Sequence, residues 1–383
     1  MIELATVVAA PSCGAFLSDF GATVLKIETP KGDPWRKEAI TLAPKGSTFS
    51  NLFENANRGK KSIVLDLKSP TGLRNLLSLL DDADVFLTNV REMPLRRLGL
   101  SYDDLKAKYP SLIYAHLTAW GRSGKKRDDA GYDAGAFWAA SGLQDITRAS
   151  DGDVPSRYPG GIGDHTTGLA LAAGIAMALF FRERTGAGQL VEASLLRTGT
   201  WVNAVPLMLA SGDQGHRGAR GQRRGRADYS NPTFNVYKTK DGRWIQLLGL
   251  DTARHLRSTL KALSLDHLLE QKEFDTLRNV LRNRRRLMAS MREKFETQTL
   301  EAWEKILRSN DVWFTPMQNF EAVMESPQLL ATGGVDFVPG VNHGLLATPV
   351  KLSAFAHRAR GRAPELGADT DTFLADLKLK SRL

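Results

Sequence analysis

The stretch GGIGDHTTG at residues 160–168 places one acidic side chain among glycines, directly before a long apolar run. Two roles compete for Asp164. Aspartate is among the best helix N-caps, a role worth about 1 kcal/mol. A carboxylate at the positive end of a helix is also expected to stay ionised, and an ionised carboxylate can act as a covalent nucleophile on an acyl carbonyl. Such attack builds an oxyanion that needs preorganised N–H donors, and glycine lets backbone come that close. Asp164 with Gly160, Gly161 and Gly163 carries both halves of that chemistry. His165 is adjacent, but neighbouring helical residues point about 100° apart, so a proton shared with Asp164 does not follow.

A second group suits an anionic ligand. In NRGKKSIVLDLKSPTG, residues 57–72, Lys68 falls just past the carboxyl end of an expected strand, where open parallel sheets bind phosphates. Asn89, ending ADVFLTN, and Arg97, in PLRRLGL, occupy comparable places. Each such lysine or arginine taken alone reads as a solvated charge. No HExxH, Walker loop, strand-linked GxGxxG or GxSxG is found, so metal, nicotinamide and serine-hydrolase chemistries lose support, and no metal ligands are assigned.

The elements that must position these residues alternate. Ile2–Val8, Val24–Ile27, Ser62–Leu65, Val85–Leu87, Ile113–Leu117 and Leu190–Ala193 read as strands, with helical periodicity at Gly14–Phe20, Thr71–Leu80 and Gly168–Arg182. This alternation predicts an α/β fold with a parallel sheet covered on both faces. The pattern weakens over 201–228, where GHRGARGQRRGR reads as a linker or active-site loop. A second unit follows, opening on a hairpin whose turn is Asp241-Gly242. Helical segments then run from about Thr252 to Arg308. The basic stretch RNVLRNRRRLMASMREKFE reads as a solvated helix face.

Composition sets the outer limits. With 383 residues, 42% hydrophobic and 25% charged, the chain suits two globular domains. Its 52 Lys+Arg against 42 Asp+Glu give a formal charge of +10, which favours polyanionic partners such as a phosphorylated cofactor. One cysteine, Cys13, allows no internal disulfide and suits a reducing compartment. The start lacks a basic n-region, and the best apolar stretch, Leu169 to Phe181, falls short of a membrane span. A cytoplasmic protein without membrane partner is expected.

Several runs together carry a resemblance: GATVLKIETPKGDPWR, NRGKKSIVLDLKSPTG, ADVFLTNVREMPLRRLGLSYDDLKAKYPSLIYAHLTAWG, GYDAGAFWAASGL and GDHTTG…RERTGAGQLVEASLL. Over residues 1–200 the chain resembles the class III CoA transferases, the CaiB/BaiF family, and NPTFNVYKTKDGRWIQLLG looks like the start of that family's small domain. The resemblance implies a Rossmann-like large domain, 1–200, completed by 346–383. It further implies a linker at 201–228, a smaller α+β domain at 229–318, a return linker at 319–345 and an interlocked homodimer. Asp164 matches the nucleophile and Asp133 an acidic active-site position, with Gly161, Gly163 and His165 beside them. Val7, Val8, Leu65, Lys68, Asn89, Val90, Arg97, Leu98 and Tyr132 match positions near CoA. The implied substrates are an acyl-CoA and a small organic acid, with no further cofactor and no nucleic acid.

Departures narrow the expectation. Val8 stands where formyl- and oxalate-type members carry glutamine, which argues against those acids. Thr29 replaces a basic residue on the adenosine side, leaving Arg36 as a candidate substitute. The glycine lid of those enzymes has no clean match, and Arg217, Arg220, Arg223, Arg224 or Arg226 is a candidate clamp for a second carboxylate. The related α-methylacyl-CoA racemases carry histidine where this chain has Tyr132, and a phenol is a poor base near neutrality. Transfer is therefore favoured over racemisation. A non-catalytic polyanion binder rests on charge alone.

Overall fold

The structure is a computed structural model and describes residues 1–41, 50–148, 153–155, 158–211, 231–341, 344–355 and 359–380. Six short aliphatic runs form one sheet: β1 (Ile2–Leu4), β2 (Leu25–Glu28), β3 (Lys61–Val64), β4 (Val85–Thr88), β5 (Ile113–Thr118) and β6 (Leu190–Ser194). All pairings are parallel, in the order β3-β2-β1-β4-β5-β6. Reversal of strand order at β1/β4 opens a crevice beyond the strand ends there, the usual ligand position in such sheets.

The helices that cover the sheet start where the sequence supplies caps. In chain order they are α1 (Ala9–Asp19), α2 (Trp35–Thr41), α3 (Asn51–Asn57), α4 (Pro70–Leu80), α5 (Glu92–Arg97), α6 (Tyr102–Leu105), α7 (Leu143–Ile146), α8 (Ile162–Thr185), α9 (Leu195–Val202) and α10 (Ala204–Ser211). Ser69 caps α4 by accepting from the Gly72 N–H, and Pro70 sits where its missing N–H costs nothing. Ser101 and Asp104 form a reciprocal capping box on α6. Leu65, Leu76, Phe86 and Tyr114 fill one face of the sheet; Leu87, Ala115, Leu171 and Ile175 fill the other.

Four elements differ from the sequence expectation. Ile2–Val8 is strand only to Leu4, and α1 begins at Ala9 rather than Gly14. The described part of 201–228 continues as helix to Ser211, and the Arg217–Arg226 positions lie outside the described residues. Helix α8 spans 24 residues and is long and apolar enough to cross a membrane by length and composition, contrary to the expectation of no such stretch. One face of it packs on α1 and the sheet through Thr167, Gly168, Leu171, Ala172, Ile175 and Ala178.

The described residues divide into two compact units, one drawn from the spans Met1–Thr147, Pro155–Gly215 and Pro327–Leu383, the other from Arg148–Val154 and His216–Ser326. The late segment is tied to the edge of the sheet. Ser62 and Val64 donate their N–H groups to Asp369 Oδ2 (2.9 Å) and Thr370 Oγ1 (3.0 Å), and Arg36 donates to the Pro364 carbonyl (2.9 Å). In the second unit β7 (Val236–Lys238), β8 (Trp244–Leu247) and β9 (Phe314–Pro316) form an antiparallel sheet. Gly242 takes φ 76° in the expected hairpin turn, a conformation glycine adopts without strain. Tyr237, Phe295 and Trp303 anchor that unit's core, with Trp303 Nε1 donating to the Phe295 carbonyl (2.8 Å).

Two lysines run against the solvated default. Lys26 and Lys60 are fully buried beneath the sheet, flanking the equally buried Glu3 at 3.3 and 2.8 Å. Burial pulls Lys60 down to about 8 even though Glu3 favours its charge. Cys13 lies at the same depth, where burial first and then Glu3 push its thiol far above the usual range, leaving it unreactive.

Candidate active site

A cleft of about 450 Å³ opens at the carboxyl ends of β1, β4 and β5. Its walls are the β1–α1 loop (Thr6, Val7, Val8), the residues after β4 (Asn89, Val90, Arg91), the segment Arg127–Tyr132, and Asp164. Asp164 is the third residue of α8. Gly161 is the N-cap, at φ 84°, and no side chain caps the helix, so the capping role falls away.

The carboxylate does not titrate as expected. Burial first, and the negative charge of Asp133 second, raise Asp164 to about 7. These outweigh the favourable helix end, because desolvation penalises the charged form more than a partly screened dipole helps it. Asp164 is thus half-protonated near neutrality rather than held ionised.

Asp133 is buried at 7% exposure, and its Oδ2 accepts the Gly161 N–H at 2.7 Å. That N–H is therefore occupied rather than free to meet an oxyanion. Gly163 serves packing: a Cβ there would stand 2.5 Å from Phe137 Cγ and 2.9 Å from Asp133 Cβ. Its bare backbone lets α8 close on the π-helical turn Ala134–Ala139 and brings Asp133 beside Asp164. Gly160 has nothing within 4 Å of an added Cβ.

His165 leaves the cleft. It lines a separate cavity of about 310 Å³ with Ser12, Asn55, Arg58 and Thr348, and burial together with Arg58 lowers its pKa. A step of one helical residue, about 100°, turns it away from the cleft that Asp164 lines.

Of the residues matched to CoA positions, Val7, Val8, Asn89, Val90 and Tyr132 line the cleft, Tyr132 with 72% exposure. Asn89 is also structural: its Oδ1 accepts the Thr6 N–H (3.1 Å) and its Nδ2 donates to the Thr6 carbonyl (2.8 Å). His116 supports the same wall by a 2.9 Å hydrogen bond between its Nε2 and the Val90 carbonyl. Lys68 and Arg97 are exposed and lie outside the cleft lining, after β3 and at the end of α5. Leu65 is core, and Leu98 packs against the same cluster as the C-cap of α5. Arg36 is not available as a substitute for the missing basic residue at Thr29. It chelates Glu28 at 2.7 and 2.8 Å and lies over the Phe53 ring at 4.4 Å. Trp201 is 81% exposed, and Trp138 stacks on Tyr158 at 5.2 Å; neither lines the cleft.

Sequence reasoning missed Thr6, Arg91 and Arg127 as cleft residues, and Lys26 and Asp33 as groups that hold the cleft wall. Arg91 was visible as a charge inside a quoted run, two residues after Asn89, and Arg127 as one between two quoted runs. Lys26 and Asp33 gave no signal, because their role depends on contacts between strands. Among the described residues no group of three or more His, Cys, Asp or Glu is placed to hold a metal ion.

Comparison with known proteins adds an independent line. The family model for CoA-transferase family III matches residues 1–370. The chain is 32% identical over 384 residues to the (R)-2-hydroxy-4-methylpentanoate CoA-transferase of Clostridioides difficile, covering 98% of this chain and 94% of that protein. It is 30% identical over 381 residues to the succinyl-CoA:glutarate CoA-transferase of Homo sapiens, covering 98% and 84%. Among solved structures, a CaiB/BaiF family protein from Brucella suis superposes with a TM-score of 0.85 at 29% identity, over 98% of this chain and 97% of that one. With strand order, crevice and whole-length similarity in agreement, the chain belongs to CoA-transferase family III.

Proposed function

We propose that the protein moves CoA from an acyl-CoA donor to a free carboxylic acid, with Asp164 as the covalent relay. The observation that carries this reading is a half-buried carboxylate at the start of a long helix, inside a cleft at the strand-order reversal, beside the buried carboxylate of Asp133. Ionised Asp164 attacks the thioester carbonyl, the C–S bond breaks, and CoA leaves as thiolate, giving a mixed anhydride. The thiolate then attacks the aspartyl carbonyl, the anhydride C–O bond breaks, and the donor acid departs as carboxylate. The acceptor carboxylate takes the same steps in reverse. Thioester energy passes from donor to acceptor, so the cycle needs no cofactor beyond its substrates.

The N–H groups of Ile162, Gly163 and Asp164 at the start of α8 have no helical carbonyl partner one turn back and would serve the oxyanion as preorganised donors. Val7, Val8, Asn89, Val90 and Tyr132 would hold the pantetheine end of CoA. Lys68 and Arg97, with the backbone of Leu65 and Leu98, would take the phosphates along the same strand edge. Relatives named for 2-hydroxy acids and for dicarboxylates both occur, so the acid pair is left to assay.

The same reading includes a homodimer. Met177, Phe180, Trp201, Val205 and Met208 on α8 to α10 expose large apolar side chains, a pattern that marks an association surface.

Replacing Asp164 by alanine tests the assignment. Transfer should fall to background while CoA still binds, measured by calorimetry. Turnover retained in Asp164→Ala refutes the covalent role.

A further inference from the structure

Three consecutive residues of the β1–α1 loop are each gripped by a side chain from elsewhere. Lys26 Nζ donates to the Ala5 carbonyl (2.9 Å), Asn89 bonds both backbone groups of Thr6, and Asp33 Oδ1 accepts the Val7 N–H (3.2 Å). Val7 has φ 69°. For a β-branched residue that is a true outlier, and it persists only where its surroundings impose it.

The imposing group is built with care. Asp33 is 2% exposed; its Oδ1 also accepts the Trp35 N–H (2.9 Å), and its own N–H donates to Glu28 Oε2 (2.9 Å). Its Oδ2 lies 2.9 Å from Lys26 Nζ, and neither side chain is exposed. Burial opposes the charge on Lys26, but Glu3, Asp33 and Glu28 outweigh it and raise its pKa. The carboxylate is therefore held on one side by the Lys26 ammonium and presents its other oxygen to Val7.

We infer that Asp33, oriented by Lys26, is a positioning residue for the reaction, holding Val7 in its left-handed conformation and so setting the cleft wall that shares the site with Asp164. The inference rests on the proposed site at Asp164 but makes a separate structural claim. Without the acceptor, Val7 relaxes toward extended backbone, and Val7 and Val8 leave their place in the cleft lining. A displacement of about 1 Å at a positioning element can cost about 100-fold in rate.

The test compares two double variants that differ only in the acceptor. Lys26→Met/Asp33→Asn removes both charges but keeps a carbonyl oxygen for the Val7 N–H. Lys26→Met/Asp33→Ala removes the acceptor as well, and in neither is a buried cation left facing an empty site. Hydrogen exchange of the peptide spanning residues 5–9 is measured in both, with kcat/KM for an acyl-CoA donor. The inference predicts faster exchange and about 100-fold lower kcat/KM in the alanine variant than in the asparagine variant. Equal exchange in the two folded variants overturns it, whatever their activity. Unequal exchange with equal kcat/KM overturns the catalytic part alone. Because exchange is read without substrate, failure here is distinguishable from failure of the Asp164 assignment.

Discussion

Lowering the pH from 8 to 6 should slow the acylation of Asp164 by about tenfold. Only the carboxylate form attacks, and burial with Asp133 places its titration at about 7. The ionised fraction then falls from about 90% at pH 8 to about 9% at pH 6. The assay is kcat/KM for an acyl-CoA donor against pH. The CoA phosphate titrates nearby, so the decisive comparison is with Asp133→Asn. That variant keeps an acceptor for the Gly161 N–H but removes the neighbouring negative charge, and its acid limb must move to lower pH. Stability runs in the opposite direction. The folded pKa lies above the ordinary value of 3.8, so the native state holds a proton between about 4 and 7 that the unfolded chain has released. That contribution is fully present below 4 and lost as pH rises through 7. Asp164→Asn should therefore be more stable than the parent at pH 8, by as much as about 4 kcal/mol, with little difference at pH 4. Denaturant unfolding at both pH values reads this. A profile flat to pH 5 in the parent, or an acid limb unmoved in Asp133→Asn, refutes the electrostatic reasoning.

Other outcomes follow from packing. Gly163→Ala places a methyl group against Phe137 and Asp133, and should cost about 1–3 kcal/mol by thermal unfolding and displace Asp133 from Gly161. Gly160→Ala, with nothing nearby, should change stability by less than about 0.5 kcal/mol. A chain carrying both Phe180→Glu and Trp201→Glu should run as a monomer in light scattering where the parent runs as a dimer, and a monomeric parent would dispose of the proposed association.

The sheet was legible because each strand is a short aliphatic run between helical patterns, and the hairpin because Asp241-Gly242 permits few other conformations. Local signals failed where the chain changes direction under distant control. Ile2–Val8 reads as one β-rich run, yet the strand breaks after Leu4, where Lys26, Asn89 and Asp33 seize the next three residues. Gly161 and Gly163 stood out as bare backbone, but the sequence did not show the further tasks the structure gives them. One N–H is claimed by Asp133, and the other glycine makes room for Phe137. The protonation of Asp164 was illegible for the same reason, since it depends on burial and on the distant carboxylate of Asp133. Lys60 looked like a surface charge because nothing in its own neighbourhood announces Glu3 beneath it.

In the proposed cycle, position 164 carries the acyl group and then CoA during turnover. Its most direct measurement is peptide mass analysis after hydroxylamine trapping during steady-state reaction with an acyl-CoA donor and an acid. A hydroxamate on Asp164 and on no other carboxylate is expected. Absence of that mark, or solvent deuterium entering the substrate's α-carbon while CoA stays on its original acid, would contradict it.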